Sequence, residues 1–433
     1  MGGSLLTRFL SGEQGSIHTN WSGNYEYSTR KVHFPQTAED VQDVVTSCRL
    51  VKALGSRHSF NGIADTTGDQ VSLQNLKHME LDRKSRTVAV GAGVRYGDLA
   101  PYLDKSGFAL HNLASLPHIS VAGACATATH GSGNSNGNLS TAVSAMEMIG
   151  ADGRLTVFSR ERDGGPFHGA VVGLGALGVV TKIILNIVPT YEMRQVVYEN
   201  LSFDRLKDHL NEIFGIGYSV SLFTDWQNHR ATQVWIKSRV DGSEFHIQPD
   251  FFGATAATRK LHPIGGHPAE NCTEQMGIPG PWYERLPHFR MNFTPSSGTE
   301  LQSEYFVPRE RGYEAILAVE SLRDEITPHL YVTEFRTIDA DELWMSPCYQ
   351  RPAMTIHFTW KPEWPAVKNL LPKIEAQLAP FGARPHWAKL FTIPASRLRS
   401  LYPKVNDFEQ LVRQSDPQRK FRNQFLDTEL FKA

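Results

Sequence analysis

The run Thr333-Glu334-Phe335-Arg336-Thr337 alternates as a strand would, so Glu334 and Arg336 leave the backbone on one face, two residues apart. A carboxylate that accepts and a guanidinium that donates, held side by side, can read vicinal hydroxyl groups. Ile356-His357-Phe358-Thr359-Trp360 alternates in the same way and puts His357 on a face with Thr359. Lys389 stands among His386, Trp387 and Phe391, where burial would lower its pKa and make a neutral amine accessible. His58 lies between Ser56 and Ser59, which add no bulk, and a neutral imidazole nitrogen is nucleophilic near neutral pH. Taken singly, each feature is also what a strand-surface ion pair, a half-buried core histidine, a snorkelling lysine or a solvent-facing loop histidine looks like.

The elements that must position these groups begin with a helix from Pro35 to Cys48. Thr37 can cap it, Asp40 follows three residues on, and Val41, Val44 and Val45 line one face. A strand at Val51 to Leu54 runs into the small-residue turn Gly55-Ser56-Arg57-His58-Ser59. An apolar segment at Val71 to Leu73 and a strand at Thr87 to Val90 come next. Tyr96 to Lys105 reads as a helix ended by Gly107. Leu113 to Gly133 is dominated by Ala, Ser, Thr, Gly and a few His, a backbone against which something else lies. A strand from Val179 to Val188 stops at Pro189. Beyond it aromatics are richer and turn signals more widely spaced, which marks a second lobe.

A chain of 433 residues exceeds the size of most single cores, so two lobes sharing one interface are expected. The net charge of -1 offers no broad basic field for nucleic acid or anionic lipid, which leaves a small molecule as the expected partner and a monomer as the expected state. Cys48, Cys125, Cys272 and Cys348 are scattered, with no CxxC pair to clip zinc, so no metal is expected and all four read as reduced thiols. Leu5, Leu6, Phe9 and Leu10 are too few for a signal-peptide core, and no later run could span a bilayer. A cytoplasmic protein is expected, in which N-x-S/T matches at Asn20, Asn138, Asn200, Asn271 and Asn292 are chance.

One GxGxxG occurs, from Gly173 to Gly178, but Val179 to Ile184 after it favours a strand rather than the helix a Rossmann pyrophosphate site needs. These glycines therefore read as structural. Gly55 to Ser59 and Ser120 to His130 are better phosphate candidates, because consecutive small residues let backbone N–H groups approach an anion. Either loop alone also fits a tight turn.

Pro35-Gln36-Thr37 with Asp40-Val41, the loop Gly55 to Ser59, Gly91-Ala92-Gly93, Ser120 to Gly123 and Thr129-His130-Gly131 together resemble the FAD-binding domain of the vanillyl-alcohol oxidase superfamily. That resemblance implies FAD bound without a Rossmann motif and linked through its 8α carbon to His58. Cys125 lacks the context of a second, thioether link and reads as a small buried residue. The implied cofactor contacts are Ala53, Leu54, Gly55, Ser56, Arg57, Ser59, Ser115, Ser120, Gly123, Thr127, Ala128, Thr129, His130 and Val180. Ala114 to Gly123, Tyr218 to Trp226, Asn271 to Gln275, Pro295 to Gly298, Glu334-x-Arg336, His357 to Trp360 and His386-Trp-x-Lys389 further resemble the bacterial alditol (xylitol) oxidases, from Asn20-Trp21 to Lys420-Phe421.

Oxidising an unactivated alcohol needs a hydride acceptor, a group to take the hydroxyl proton and a donor to stabilise the alkoxide. The resemblance implies that Ser115, Glu334, Arg336, His357 and Lys389 line a polyol site. Arg336 and Lys389 would polarise the reacting hydroxyl while Glu334, His357 and Ser115 orient the others, and the catalytic set is Lys389, Arg336, Glu334 and His357. The terminal carbinol of xylitol or sorbitol would become the aldose, with O2, admitted beside the small Ala114, reduced to H2O2. A sugar-1,4-lactone oxidase of the gulonolactone or galactonolactone type shares the short motifs and is the alternative. The expected fold is α+β and two-lobed: a PCMH-type FAD-binding domain over residues 1–190, then a substrate domain with an antiparallel sheet and flanking helices over 191–385. A segment over 386–433 would return to the first lobe. Arg57 departs from the pattern, since a small residue is expected there, and Met1 to Thr19 extends beyond the resemblance.

Overall fold

The computed structural model describes residues 18–431; the reading of Leu5 to Leu10 lies outside them. Near the start, β1 (Lys31–His33), β2 (Val51–Leu54) and β3 (Asp69–Ser72) form a parallel three-stranded sheet with β3 in the middle. Helix α1 (Ala38–Ser47) precedes β2. Its capping box is complete, with Thr37 accepting from the Asp40 N–H and Asp40 accepting from the cap backbone, while Val41 and Val45 are buried.

A second, antiparallel sheet contains β4 (Met79–Asp82), β5 (Thr87–Gly91), β6 (Val143–Ile149), β7 (Leu155–Ser159) and β8 (Val179–Asn186), in the order β4-β5-β8-β6-β7. The expected helix α2 (Tyr96–Lys105) follows β5, with Gly107 just beyond it at φ 84°. The strand read as continuous to Val188 breaks after Asn186, and Val188–Pro189 instead pairs with Phe108–Ala109.

The remaining strands build one antiparallel sheet of ten. Its long members are β9 (Glu192–Ser202), β10 (Ser219–Thr224), β11 (Arg230–Arg239), β12 (Leu301–Pro308), β13 (Leu330–Ile338) and β14 (Ala353–Trp360), in the order β9-β11-β10-β13-β14-β12. The register aligns Leu222 with Phe335, Phe335 with Ile356 and Ile356 with Tyr305. That row is fully buried, and helices at Asp204–Gly215 and Gly312–Glu320 contact strands of the same sheet. One residue along, the pairing runs Phe223 to Glu334 to His357 to Glu304 across β10, β13, β14 and β12. Antiparallel partners share a face, so alternation gives this sheet one apolar face and one that carries charge. The charged face is buried as well, with Glu304 2% and Glu334 4% exposed. A half-solvated sheet would send such residues to water, so burial here marks a site.

The end of the chain contacts the first strands. The Val51 N–H donates to the Lys420 carbonyl, Lys52 Nζ donates to the Phe421 carbonyl 369 residues away, and Asn423 donates to the carbonyls of Gly62, Ile63 and Asp65. Among the described residues no helix is long and apolar enough to cross a membrane, and all four cysteines are free.

Candidate active site

The charged face closes one side of a cavity whose other side is made of loops following β2, of residues 114–130, and of the loop before β8. Its lining draws on both the glycine-bearing loops and the sheet, so one space joins the expected cofactor and substrate residues.

Two loops form the cofactor side. They are tied reciprocally, as the Ser120 N–H donates to Ser56 Oγ at 2.9 Å and the Ser56 N–H to Ser120 Oγ at 3.4 Å. The approach leaves no room for side chains: a Cβ on Gly55 would stand 2.7 Å from Ser120 Oγ, and one on Gly123 2.8 Å. Ala53, Leu54, Gly55, Ser56, Arg57, His58, Ser59, Ser115, Ser120, Gly123, Thr127, Thr129, His130 and Val180 all line the cavity. Ala128 does not; its side chain sits in the core beside this wall, with the backbone at φ 54°. Arg57 adopts φ 64°, the left-handed region that favours glycine, which is the physical reason a small residue is expected there.

His58 stacks on Trp21 with ring centroids 5.3 Å apart, and its Nδ1 lies 3.1 Å from Ser56 Oγ. Its Nε2 is buried with no hydrogen-bond partner among the described residues, and burial pushes the imidazole pKa down to about 3, so the ring is neutral. A neutral imidazole in a cradle of small residues fits a flavin. The loop from Gly173 to Gly178 does precede a strand, as read, yet Gly173, Gly175 and Gly178 also line the cavity, so these glycines shape the same wall.

On the sheet side, Arg336 donates from Nε to Glu334 Oε1 at 2.5 Å and from Nη2 to Glu334 Oε2 and Ser115 Oγ. Burial opposes ionisation of Glu334, but Arg336 and His288 outweigh it and hold the carboxyl well below the usual range. Lys389 sits in the loop after the short strand Arg384–Pro385, 17% exposed, and its Nζ donates to Glu304 Oε2 at 2.6 Å. His130 Nε2 lies 3.1 Å from the other oxygen of Glu304. Burial again opposes ionisation, and Lys389 with His130 keeps Glu304 well below its normal pKa. Burial lowers the Lys389 pKa, against the pull of Glu304. His357, 9% exposed, is pushed down to about 3 by burial and by Lys389, and its Nε2 lies 3.1 Å from Gln302 Oε1.

The five expected polyol residues thus face one cavity. Three further groups complete it: Glu304 as the counter-charge of Lys389, Gln302 beside His357, and His288. His288 Nε2 donates to Glu334 Oε1 at 2.8 Å, because its Nδ1 accepts a hydrogen bond from Lys237 Nζ at 3.0 Å. Lys237 is buried and also donates to the Leu286 and Pro287 carbonyls. Gln302 and Glu304 alternate on β12 as Glu334 and Arg336 do on β13, which is the signal that could have found them. Elsewhere, His33, Cys48 and Asp69 converge closely enough to hold a metal among the described residues, but they already pair with one another, His33 Nε2 to Asp69 at 2.6 Å and Cys48 Sγ to Asp69 at 3.4 Å.

Residues 29–159 match a family model described as an FAD binding domain, and residues 297–429 one described as D-arabinono-1,4-lactone oxidase. A cholesterol oxidase structure from B. sterolicum superposes with a TM-score of 0.76, covering 95% of this chain and 96% of that one at 14% identity, a likeness of fold. The FAD binding domain at residues 29–159, together with a 47%-identical relative, makes this an FAD-dependent oxidoreductase of the vanillyl-alcohol oxidase type. An alditol oxidase from a Streptomyces species is 47% identical over 413 residues, which is 94% of this chain and 97% of that protein. The L-gulonolactone oxidase of Mus musculus is 26% identical, over 96% and 99% of the two chains. The chain belongs to the alditol oxidase family.

Proposed function

We propose that this protein oxidises the terminal carbinol of linear alditols such as xylitol or sorbitol to the aldose, with FAD held covalently at His58 and O2 reduced to H2O2. The observation that carries the reading is the buried row of Glu334, His357 and Glu304, with Arg336 and Lys389 beside it, in the cavity that His58 also lines. A bound flavin supplies the hydride acceptor and returns electrons to O2.

The chain supplies the rest. Arg336 is fixed by Glu334 and Ser115, so its remaining N–H groups address hydroxyl oxygens without reorganising. Glu334 and His357 accept from the hydroxyls further along the polyol. Lys389 takes the proton of the reacting hydroxyl, directly or through a water, and its lowered pKa makes the amine available while Glu304 balances the charge that results. Ser115 orients the substrate through Arg336 and its own hydroxyl. Ala114, small and on the cavity wall, leaves space for O2. The two lobes proposed are residues 1–190 and 191–385, with 386–433 packed back on the first, in a cytoplasmic monomer.

Anaerobic mixing with xylitol, sorbitol and L-gulono-1,4-lactone tests the substrate. Loss of the oxidised flavin absorbance is expected with the polyols and much more slowly with the lactone. Bleaching by the lactone alone would transfer the reading to the lactone oxidases, whose family model matches residues 297–429. The intact mass should exceed that of the chain by one FAD, a yellow acid precipitate should form, and each substrate consumed should yield one H2O2. A colourless precipitate would sink the link at His58.

A further inference from the structure

Gln302 stands two residues before Glu304 on β12, on the cavity face, and its amide is held at both ends. Glu300, 1% exposed, accepts from the Ser297 N–H at 2.9 Å through one oxygen and from Gln302 Nε2 at 2.6 Å through the other. Burial raises the Glu300 pKa, but the backbone N–H groups of Ser297 and Gly298 pull it back toward the carboxylate, which only accepts, so the amino end of the Gln302 amide faces Glu300 and its carbonyl end faces away. That end, Oε1, lies 3.1 Å from His357 Nε2, and the nitrogen must therefore carry the ring hydrogen. The other ring nitrogen, Nδ1, is then a bare lone pair. It is buried and has no hydrogen-bond partner among the described residues. A buried acceptor left unmet is destabilising, and a ligand hydroxyl would relieve it.

We propose that Glu300 and Gln302 are positioning residues that lock His357 in its Nε2–H tautomer and so make Nδ1 an acceptor for one substrate hydroxyl. The inference rests on the polyol reading for the identity of that hydroxyl, and on the geometry alone for the tautomer. Polarity passes along the chain in one direction: the carboxylate fixes the amide, the amide fixes the imidazole, and the imidazole selects a donor in the ligand.

The test uses the flavin-loaded protein labelled with 15N-histidine, with the His357 signals assigned by their loss in His357→Gln. Nε2 should appear protonated and Nδ1 not. In Glu300→Gln the Ser297 N–H keeps the new carbonyl, so the new amino group faces Gln302. The Gln302 amide then turns over and the His357 tautomer inverts. KM for xylitol should rise about 10- to 100-fold, as for a lost buried hydrogen bond, with kcat changed much less. The double variant Glu300→Gln with Gln302→Glu restores an acceptor opposite His357 and should recover most of the loss, an outcome that mere disruption of packing would not give. An Nδ1–H signal in the parent protein overturns the proposal without any variant, and so does a Glu300→Gln protein with unchanged tautomer and KM. Correct tautomers together with a flavin that no polyol reduces would instead overturn the polyol reading and leave the assignment of His357 standing.

Discussion

The two sides of the cavity are made by different means. The cofactor side is backbone: Gly55 and Gly123 pressed on Ser120, the loop of Gly173 to Gly178, and one neutral imidazole, His58. The sheet side is a grid of side chains, in which strand register places Glu304, His357 and Glu334 in a row and every charge has a named partner. Shape defines the first wall and electrostatics the second. The first should therefore fail through added volume, the second through a lost charge or a gained proton.

The largest effect expected comes from Lys389→Met. Removing the amine takes away the proton acceptor and leaves Glu304 with His130 alone, so anaerobic flavin reduction by xylitol should slow at least about 1,000-fold while flavin content holds. A reduction rate within tenfold of the parent would mean that charge on this wall does not drive the chemistry.

Acid should come next. His288 and His357 titrate at about 3 in the folded protein against 6.5 for the free side chain, so the unfolded chain binds more protons between those values. Stability is then full above pH 6.5 and falls as the pH drops toward 3, and the depressed pKa values of Glu304 and Glu334 add to the loss below their normal range. Urea midpoints between pH 7 and 4 should decline steeply, and more shallowly in His288→Gln. A midpoint independent of pH would contradict buried neutral rings.

Volume on the opposite wall ranks third. Gly55→Val puts atoms against Ser120 Oγ, a strain of about 1–3 kcal/mol that should lower flavin content without altering the reduction rate of the molecules that retain it. If that rate fell with the content, the two walls would not be separable. Smallest is Arg57→Gly, which removes left-handed strain at φ 64° at the cost of a more flexible unfolded chain. A net stabilisation below about 1 kcal/mol is expected in thermal melts, since the hydrogen bond from Arg57 Nη1 to the Thr19 carbonyl is lost as well.

What could be read in the sequence followed the same division. Local signals were enough for the capped helix α1, for β2, for α2 and for the alternation that sets Glu334 beside Arg336. Glu304, Gln302, Glu300 and His288 escaped because their roles depend on which strands are neighbours, and β12 reaches β13 only through β14, which follows both in the chain. Lys237 was hidden for a related reason, since its partner His288 lies 51 residues away. The glycines at 173–178 were read correctly as preceding a strand, but only the tertiary fold brings that loop to the cavity.

The contacts of residues 420–423 with the first strands tie the pocket together across sequence. Lys52, on the cavity wall, is anchored by the Phe421 carbonyl 369 residues away, and Asn423 braces the turn at 62–65 that follows His58. A chain cut before residue 420 would keep the loop of His58 and lose the strut behind it, so the shape of this wall is owed to residues that never touch the cavity's contents.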